Sequence, residues 1–537
     1  YKEENMNIIP KPKSIKINEG TFDASLLTSL EICEELNGCK TIADKLISDI
    51  GSKSGGCQLV IKQDENLASE AYKLEITKSG VTVYASTSAG AIWALQTLRV
   101  ISLADVKNAE RNILCCTIAD EPKFGWRGLL IDEARYFLGE EHIKQVIDMM
   151  SLHKLNVLHW HLTDDQGWRI EIKKYPLLTQ IGGKRAQSGI NGWHRADSDG
   201  KPHSGWYTQE QILDIVKYAA DRGVSIMPEI DMPAHFAAAF AAYPELACRD
   251  IKRDVPWYFG SKAPLSQGIK DWNRAACLGN EKTVQFIFDV VDEVCELFPF
   301  GYYHIGGDEV PTEEWEKCPR CNALMKEKGL ANTDEMHAYF NNRLVEYLKT
   351  KGKRCIAWNE VLRGKGLDKS VVAQYWVPNE DRNVAKHLQR GGEVVMSKHQ
   401  SFYFDMPYSL YPLRNTYKFT PYISGIKPKY SESIKGVEAA VWREWIPDNY
   451  KLQFMLFPRM EALAETAWSW DKDWKDFLSR LERFLPILDA NGVNYAEEEI
   501  WTHKKNLFKR AKITNNFYGG DQNMELRRNS EIKREKK

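Results

Sequence analysis

Tyr72, Leu74 and Ile76 alternate with polar neighbours, Lys78-Ser79-Gly80 supplies a turn, and Val81 and Val83 resume the alternation, so a β-hairpin is predicted here. After Thr87 and Ser88, an N-cap region, Ile92, Leu95, Leu98 and Val100 recur at approximately helical spacing. Residues 1–120 therefore read as a small α+β domain that gathers no catalytic residue types. From Phe124 onward the pattern becomes one of short apolar runs, each ending in polar or aromatic residues and mostly followed by an amphipathic stretch. Eight are found: Gly128–Asp132, Val157–Leu162, Val224–Ile230, Tyr302–Ile305, Arg354–Trp358, Val371–Trp376, Glu393–Met396 and Val437–Trp442. Continuous apolar strands alternating with helices imply parallel pairing with both faces covered. Eight of them across residues 121–494 predict an α/β fold, a (β/α)8 TIM barrel with long insertions. Only a short Gly- and Lys-containing stretch separates the fifth run from the sixth, so one helix should be missing or reduced. Residues 495–537 are polar, Lys533 to Lys537 are all charged, and this extension reads as a solvated tail.

Composition narrows the class. The chain has 537 residues, 43% of them hydrophobic and 27% charged, with a net charge of -1, which is ordinary for a folded protein and wrong for a disordered one. A basic nucleic-acid binder is excluded by the same balance. No apolar run approaches the roughly 20 residues of a membrane span, and the richest, Ala234–Ala242, is followed by Tyr243, Pro244 and Glu245. The chain opens on Tyr1, which reads as a trimmed form, so the lack of a leader says nothing about export. Eleven cysteines scattered along the chain are no disulfide framework. Cys115 and Cys116 face opposite ways in a strand and suit two small core residues. Cys318-Pro-Arg-Cys321 is half a zinc site at best, with no second pair at zinc-ribbon spacing, and reads as a short structural disulfide or two thiols.

The chemistry collects at the strand ends, where a TIM barrel places its active site. These carry Arg135, then His159-Trp160-His161-Leu162-Thr163-Asp164-Asp165, then Glu229-Ile230-Asp231-Met232-Pro233-Ala234-His235. Next come His304-Ile305-Gly306-Gly307-Asp308-Glu309, Trp358-Asn359-Glu360, Tyr375-Trp376, Tyr403-Phe404-Asp405 and Trp442-Arg443-Glu444. Carboxylates interleaved with tryptophans suit a sugar, because acids accept hydrogen bonds from hydroxyls and indoles cover the C–H faces of the ring. Asp308 and Glu309 follow two glycines, and adjacent carboxylates raise each other's pKa, so one can stay protonated while the other is ionised.

With those motifs in hand, the chain resembles glycoside hydrolase family 20, the β-N-acetylhexosaminidases, from about Pro10 to about Asn494. His159 to Arg169 and His304 to Glu309 are the long, specific matches. The resemblance implies an exo-acting enzyme that removes terminal β-linked N-acetylglucosamine, N-acetylgalactosamine or both from an oligosaccharide or glycoconjugate, with retention. In such enzymes the substrate's 2-acetamido oxygen is the nucleophile and an oxazolinium ion the intermediate, an exception to the two-carboxylate scheme. Residue by residue, Glu309 matches the general acid and base, and Asp308 the group that orients the acetamide N–H. Tyr403 matches the tyrosine that binds the acetamide oxygen, and Asp164 and His235 a supporting chain that tunes the acid. Arg135, Asp405 and Glu444 match residues that grip sugar hydroxyls, and Trp358, Trp376 and Trp442 the pocket walls. No cofactor and no metal is expected, and the resemblance implies export to the periplasm, cell surface or medium. Linkage and aglycone preference should depend on loops such as Asp250 to Asn273.

Two positions depart from the family pattern. Ala234 stands where glycine is usual and could shift His235, and Arg443 stands where a smaller residue is usual and could alter the pocket rim. Two rival readings remain. A metal-dependent hydrolase could use His159, His161, His235, His304 and Asp308. A non-catalytic glycan-binding protein could use the same scaffold, although it would be expected to have lost Asp308 or Glu309.

Overall fold

The structure is a computed structural model of the chain and describes residues 6–51, 56–103, 111–190, 192, 197–259, 275–424, 426–502 and 507–536. The N-terminal unit is a six-stranded sheet in the spatial order Ser14–Asp23, Asn112–Asp120, Tyr72–Thr77, Gly80–Ala85, Cys57–Gln63, Leu27–Ile32. The expected hairpin is at its centre, with Leu74 opposite Val83 and Ile76 opposite Val81. Helix Ser88–Leu103 is buried nearly all round, because one side covers the sheet and the other meets the barrel, where Gln96 donates to Ser151 at 2.7 Å. A helix between two layers needs no polar face, which is why its periodicity is weak. Cys115 and Cys116 are both buried and unbridged.

All eight apolar runs are strands of one closed parallel barrel: Trp126–Asp132, Val157–Asp164, Ser225–Ile230, Tyr302–His304, Arg354–Trp358, Val372–Tyr375, Glu393–Met396 and Ile434–Val441. Each pairs with the next, and the eighth closes on the first with Val441 beside Ile131. Helices Glu140–Leu152, Gln209–Ala220, Glu281–Leu297 and Thr333–Thr350 cover the first four connections. Between strands five and six there is only the 3-10 turn Asn359–Arg363, the reduced connection that the short spacing implied.

The C-terminal extension differs from the expected solvated tail. Leu507–Tyr518 and Met524–Glu535 are helices folded against the barrel. Glu525 is buried and accepts from the backbone N–H groups of Tyr408 and Ser409, each at 2.8 Å. Asn529, fully buried, accepts from the Glu497 N–H at 2.8 Å and donates to the Tyr495 carbonyl at 3.1 Å. Ile513 and Phe517 are buried beside these polar contacts, and Leu526 and Ile532 pack against the barrel core, but so few apolar positions in a polar segment make no clear stripe.

The two units are joined at Asp120, on the last strand of the first sheet. Its buried carboxylate accepts from Tyr72 at 2.7 Å, Lys154 at 3.0 Å and the Trp468 indole at 3.0 Å, and the Lys154 ammonium lies 4.4 Å from the centre of the Trp468 ring. Removing one member of a buried ion pair strands the other, which costs about 3–5 kcal/mol, whereas replacing both by apolar groups costs far less. Asp120→Ala should therefore lower the thermal midpoint sharply, and Asp120→Leu with Lys154→Met should recover most of the loss. Equal midpoints for the single and double variants would contradict the pairing.

Candidate active site

The barrel's upper interior is built on a buried carboxylate, Glu229, near the end of strand three. It accepts from His161 Nδ1, lies 3.1 Å from His159 Nε2 and 2.8 Å from His304 Nδ1, and accepts from the Trp358 indole at 2.9 Å. Burial alone would raise its pKa, but the three histidines outweigh burial and hold it well below the carboxylate range. His159 is correspondingly pushed up to about 9: burial works against its charge, and Glu229 with Glu438 overcomes it. Both nitrogens of His161 are taken, Nδ1 by Glu229 and Nε2 by Asp164 at 3.1 Å. His161 is thus spent on carboxylates, whereas Nε2 of His304 is buried without a hydrogen-bond partner among the described residues.

Asp164, at the end of strand two, forms the next tier. Arg135 donates to it at 2.8 Å, and its other oxygen lies 3.3 Å from His235 Nδ1, which is also 3.4 Å from Asp165. Although burial opposes its charge, Arg135 and His235 keep Asp164 well below the usual range. Burial likewise opposes a charged His235, but Asp164 and Asp165 raise its pKa well above normal. The far nitrogen of His235 then lies 3.7 Å from both Asp308 and Glu309. His235 takes this place with Ala234, instead of glycine, before it.

The turn carrying the acidic pair is left-handed at three positions, Gly306 (φ 67°), Gly307 (φ 88°) and Glu309 (φ 47°). A Cβ on Gly306 would lie 1.8 Å from the Asp231 carboxylate, so only glycine lets the turn pass there. The result separates the two acids by depth: the Asp308 side chain is 13% exposed and that of Glu309 50%. Burial pushes Asp308 up to about 6; His235 opposes this and Glu309 adds to it. One oxygen of Asp308 and one of Asp405 are buried without a hydrogen-bond partner among the described residues. Such groups cost free energy unless a ligand satisfies them.

Four rings wall the space beside Asp308. Trp376 and Tyr403 stack at 5.6 Å and 16°, Trp358 meets Trp376 edge-on at 6.4 Å, and Trp442 lies 5.7 Å from Trp358 and 6.4 Å from Tyr403. The Arg135 guanidinium covers Trp442 at 5.0 Å. Asp405 and Glu444 lie close enough to interact, and burial raises both, Asp405 further still because of Glu444 and Glu444 less because of Arg135. All eleven residues singled out in the sequence therefore converge on one end of the barrel.

The structure also changes two expectations. Arg443 is fully buried and points away from the pocket, donating to Glu133 at 3.1 Å and to the carbonyls of Tyr136 at 2.5 Å and Ile446 at 3.1 Å, so it braces the wall instead of altering the rim. Glu360, named in the strand-end motif but given no role, sits behind the box and accepts from the Trp376 indole at 2.9 Å. Burial, with Asp308 nearby, raises it to about 8. Its position directly after Trp358 and Asn359 was the available signal. In the Asp250 to Asn273 loop, residues 260–273 lie outside the described residues.

The sequence profile "Glycosyl hydrolase family 20, catalytic domain" matches residues 124–471, and "Glycosyl hydrolase family 20, domain 2" matches residues 5–121. The chain belongs to glycosyl hydrolase family 20. Among its family 20 relatives, a β-hexosaminidase of Porphyromonas gingivalis is 35% identical over 525 residues, a match that covers 92% of this chain and 64% of the relative. The chain thus spans just under two thirds of that protein. A β-N-acetylhexosaminidase of Cellulomonas fimi is 32% identical over 520 residues, covering 91% of this chain and 95% of the relative. A family 20 exo β-N-acetylglucosaminidase of Vibrio harveyi, solved in complex with N-acetylglucosamine, superposes with a TM-score of 0.79 at 31% identity, covering 92% of this chain and 78% of that one.

Asp308 in this family 20 site carries a stability signature. Its folded pKa of about 6 exceeds the unfolded value of about 3.9, so its contribution to stability is present below pH 4 and is lost as pH rises through 6. Asp308→Asn, which cannot ionise, should melt above the wild type at pH 7.5, by the equivalent of about 1–3 kcal/mol, and match it near pH 4. A difference that does not change with pH would contradict a raised Asp308.

Proposed function

We propose that the chain is an exo-acting β-N-acetylhexosaminidase that removes terminal β-linked N-acetylglucosamine, N-acetylgalactosamine or both with retention, using the substrate's acetamide as nucleophile. The observation that carries this reading is the sheltered Asp308, with a buried unpartnered oxygen, beside the four-ring box and next to the exposed Glu309. A box of rings suits the acetamide methyl, and a carboxylate beside it suits the acetamide N–H. The Vibrio harveyi enzyme, solved with N-acetylglucosamine on a closely similar fold, supports the sugar assignment.

In the first step the acetamide oxygen attacks the anomeric carbon, the glycosidic C–O bond breaks, and Glu309 gives its proton to the departing oxygen. Asp308 accepts from the acetamide N–H and stabilises the positive charge of the oxazolinium ring, while Tyr403 donates to the acetamide oxygen. In the second step Glu309 takes a proton from water, whose oxygen adds to the same carbon and opens the ring. His235, held by Asp164, faces the Glu309 carboxyl across 3.7 Å. Arg135, Asp405 and Glu444 bind hydroxyls, and Trp358, Trp376 and Trp442 enclose the ring and acetamide. Export of the chain belongs to the same proposal and rests on family resemblance alone.

Two inversions at one carbon give net retention, so proton NMR should find the β-anomer as the first product; initial release of the α-anomer would overturn the mechanism. Glu309→Gln should cut the rate on natural substrates by about 10²–10⁴-fold, and by much less on aryl glycosides whose leaving group needs no proton. Equal losses on both would contradict the role of Glu309.

A further inference from the structure

Away from the catalytic pocket, the chain brings together four cysteines that lie 73 residues apart at their extremes in sequence: Cys248 and Cys277 from the connection after strand three, Cys318 and Cys321 from the connection after strand four. Their four sulfurs lie within 4.8 Å of one another, and three of the separations, Cys248–Cys321, Cys277–Cys318 and Cys277–Cys321, are each 3.8 Å. Cys277, Cys318 and Cys321 are buried and Cys248 is half-buried. A disulfide would bring one pair to about 2.05 Å, yet Cys277 is equidistant from two partners. Four sulfurs at about 2.3 Å from a central ion form a tetrahedron whose edge is about 3.8 Å, the dimension of a four-thiolate zinc site.

We propose that Cys248, Cys277, Cys318 and Cys321 bind one structural zinc ion. The surroundings are built for it. Gly279 lets the chain after Cys277 run against the Cys318–Cys321 turn, where a Cβ would lie 2.2 Å from the Arg320 carbonyl carbon. An antiparallel bridge from Ala247 to Ala276 sets Cys248 beside Cys277, and Trp315 donates to the Ala276 carbonyl at 2.8 Å. The Arg320 guanidinium donates to the carbonyls of Ala247 and Cys248, each at 3.2 Å, placing a positive charge beside a site whose four thiolates leave it net negative. Soft thiolates in tetrahedral array select zinc or iron–sulfur chemistry, and four protein ligands leave zinc no open position for catalysis. The ion acts as a staple: it ties the connection carrying His235 to the segment that follows Glu309. Sequence spacing hid it, because the partners of the Cys318–Cys321 pair are single cysteines from a distant loop instead of a second close pair.

Protein purified without a metal-chelating column should contain one zinc per chain by elemental mass spectrometry. Its four site thiols should resist alkylation until a chelator is added under denaturing conditions. Cobalt reconstitution should give sulfur-to-cobalt charge-transfer bands with tetrahedral d–d bands, absent in Cys277→Ser and retained in Cys355→Ser, whose thiol lies elsewhere. Three results would overturn the proposal: no metal after zinc supplementation, iron in place of zinc, or an intact mass lacking four hydrogens, the mark of two disulfides.

Discussion

Asp164 is an ionised carboxylate held out of water, and the arrangement of the catalytic end follows from keeping it paired. An isolated charge at that depth would be too costly to keep. Arg135 arrives from the first strand's connection, His161 from the second strand and His235 from the third, and each is fixed by its contact with Asp164. Below, Glu229 does the same for His159, His161 and Trp358. Two buried anions thus lock two connections, the second strand and one tryptophan wall into register before any sugar binds, the kind of preorganisation that transition-state stabilisation needs.

This network ends at His235, and there the two neighbouring acids diverge. His235 is equally far from Asp308 and Glu309, so its charge does not distinguish them. Depth does. Asp308 is sunk beside the rings, with its pKa lifted by burial, while Glu309 reaches the opening where a leaving group and a water molecule would pass. Consecutive residues can take such different places only because the two glycines before them allow a left-handed turn past Asp231. In the proposed mechanism, different environments, and not different side-chain chemistry, divide the labour between the acids.

Much of this was legible in the sequence. The barrel strands stand out because burial on both faces makes them continuous apolar runs, and the missing fifth helix follows from a connection too short to hold one. The pocket residues could be named because a barrel gathers its strand ends. What escaped notice depends on polar or long-range packing. The C-terminal helices dock through Glu525 and Asn529, which look like surface residues in a polar tail, and through a few apolar side chains such as Ile513 and Phe517 that form no regular stripe. Arg443 reads as part of the rim until its fork is seen satisfying Glu133 and two carbonyls inside the wall. The four cysteines come together only when two barrel connections fold against each other.

The central claim is that Asp308 serves the substrate's own nucleophile and is not one itself. The most direct measurement is the rate on aryl glycosides whose acetamide carries zero, one, two or three fluorines, since each fluorine withdraws electron density from the carbonyl oxygen. If that oxygen attacks, log rate should fall steeply with fluorine number in the wild type, and Asp308→Asn should make the slope shallower. A flat wild-type line would mean that the acetamide is a spectator and would contradict the account.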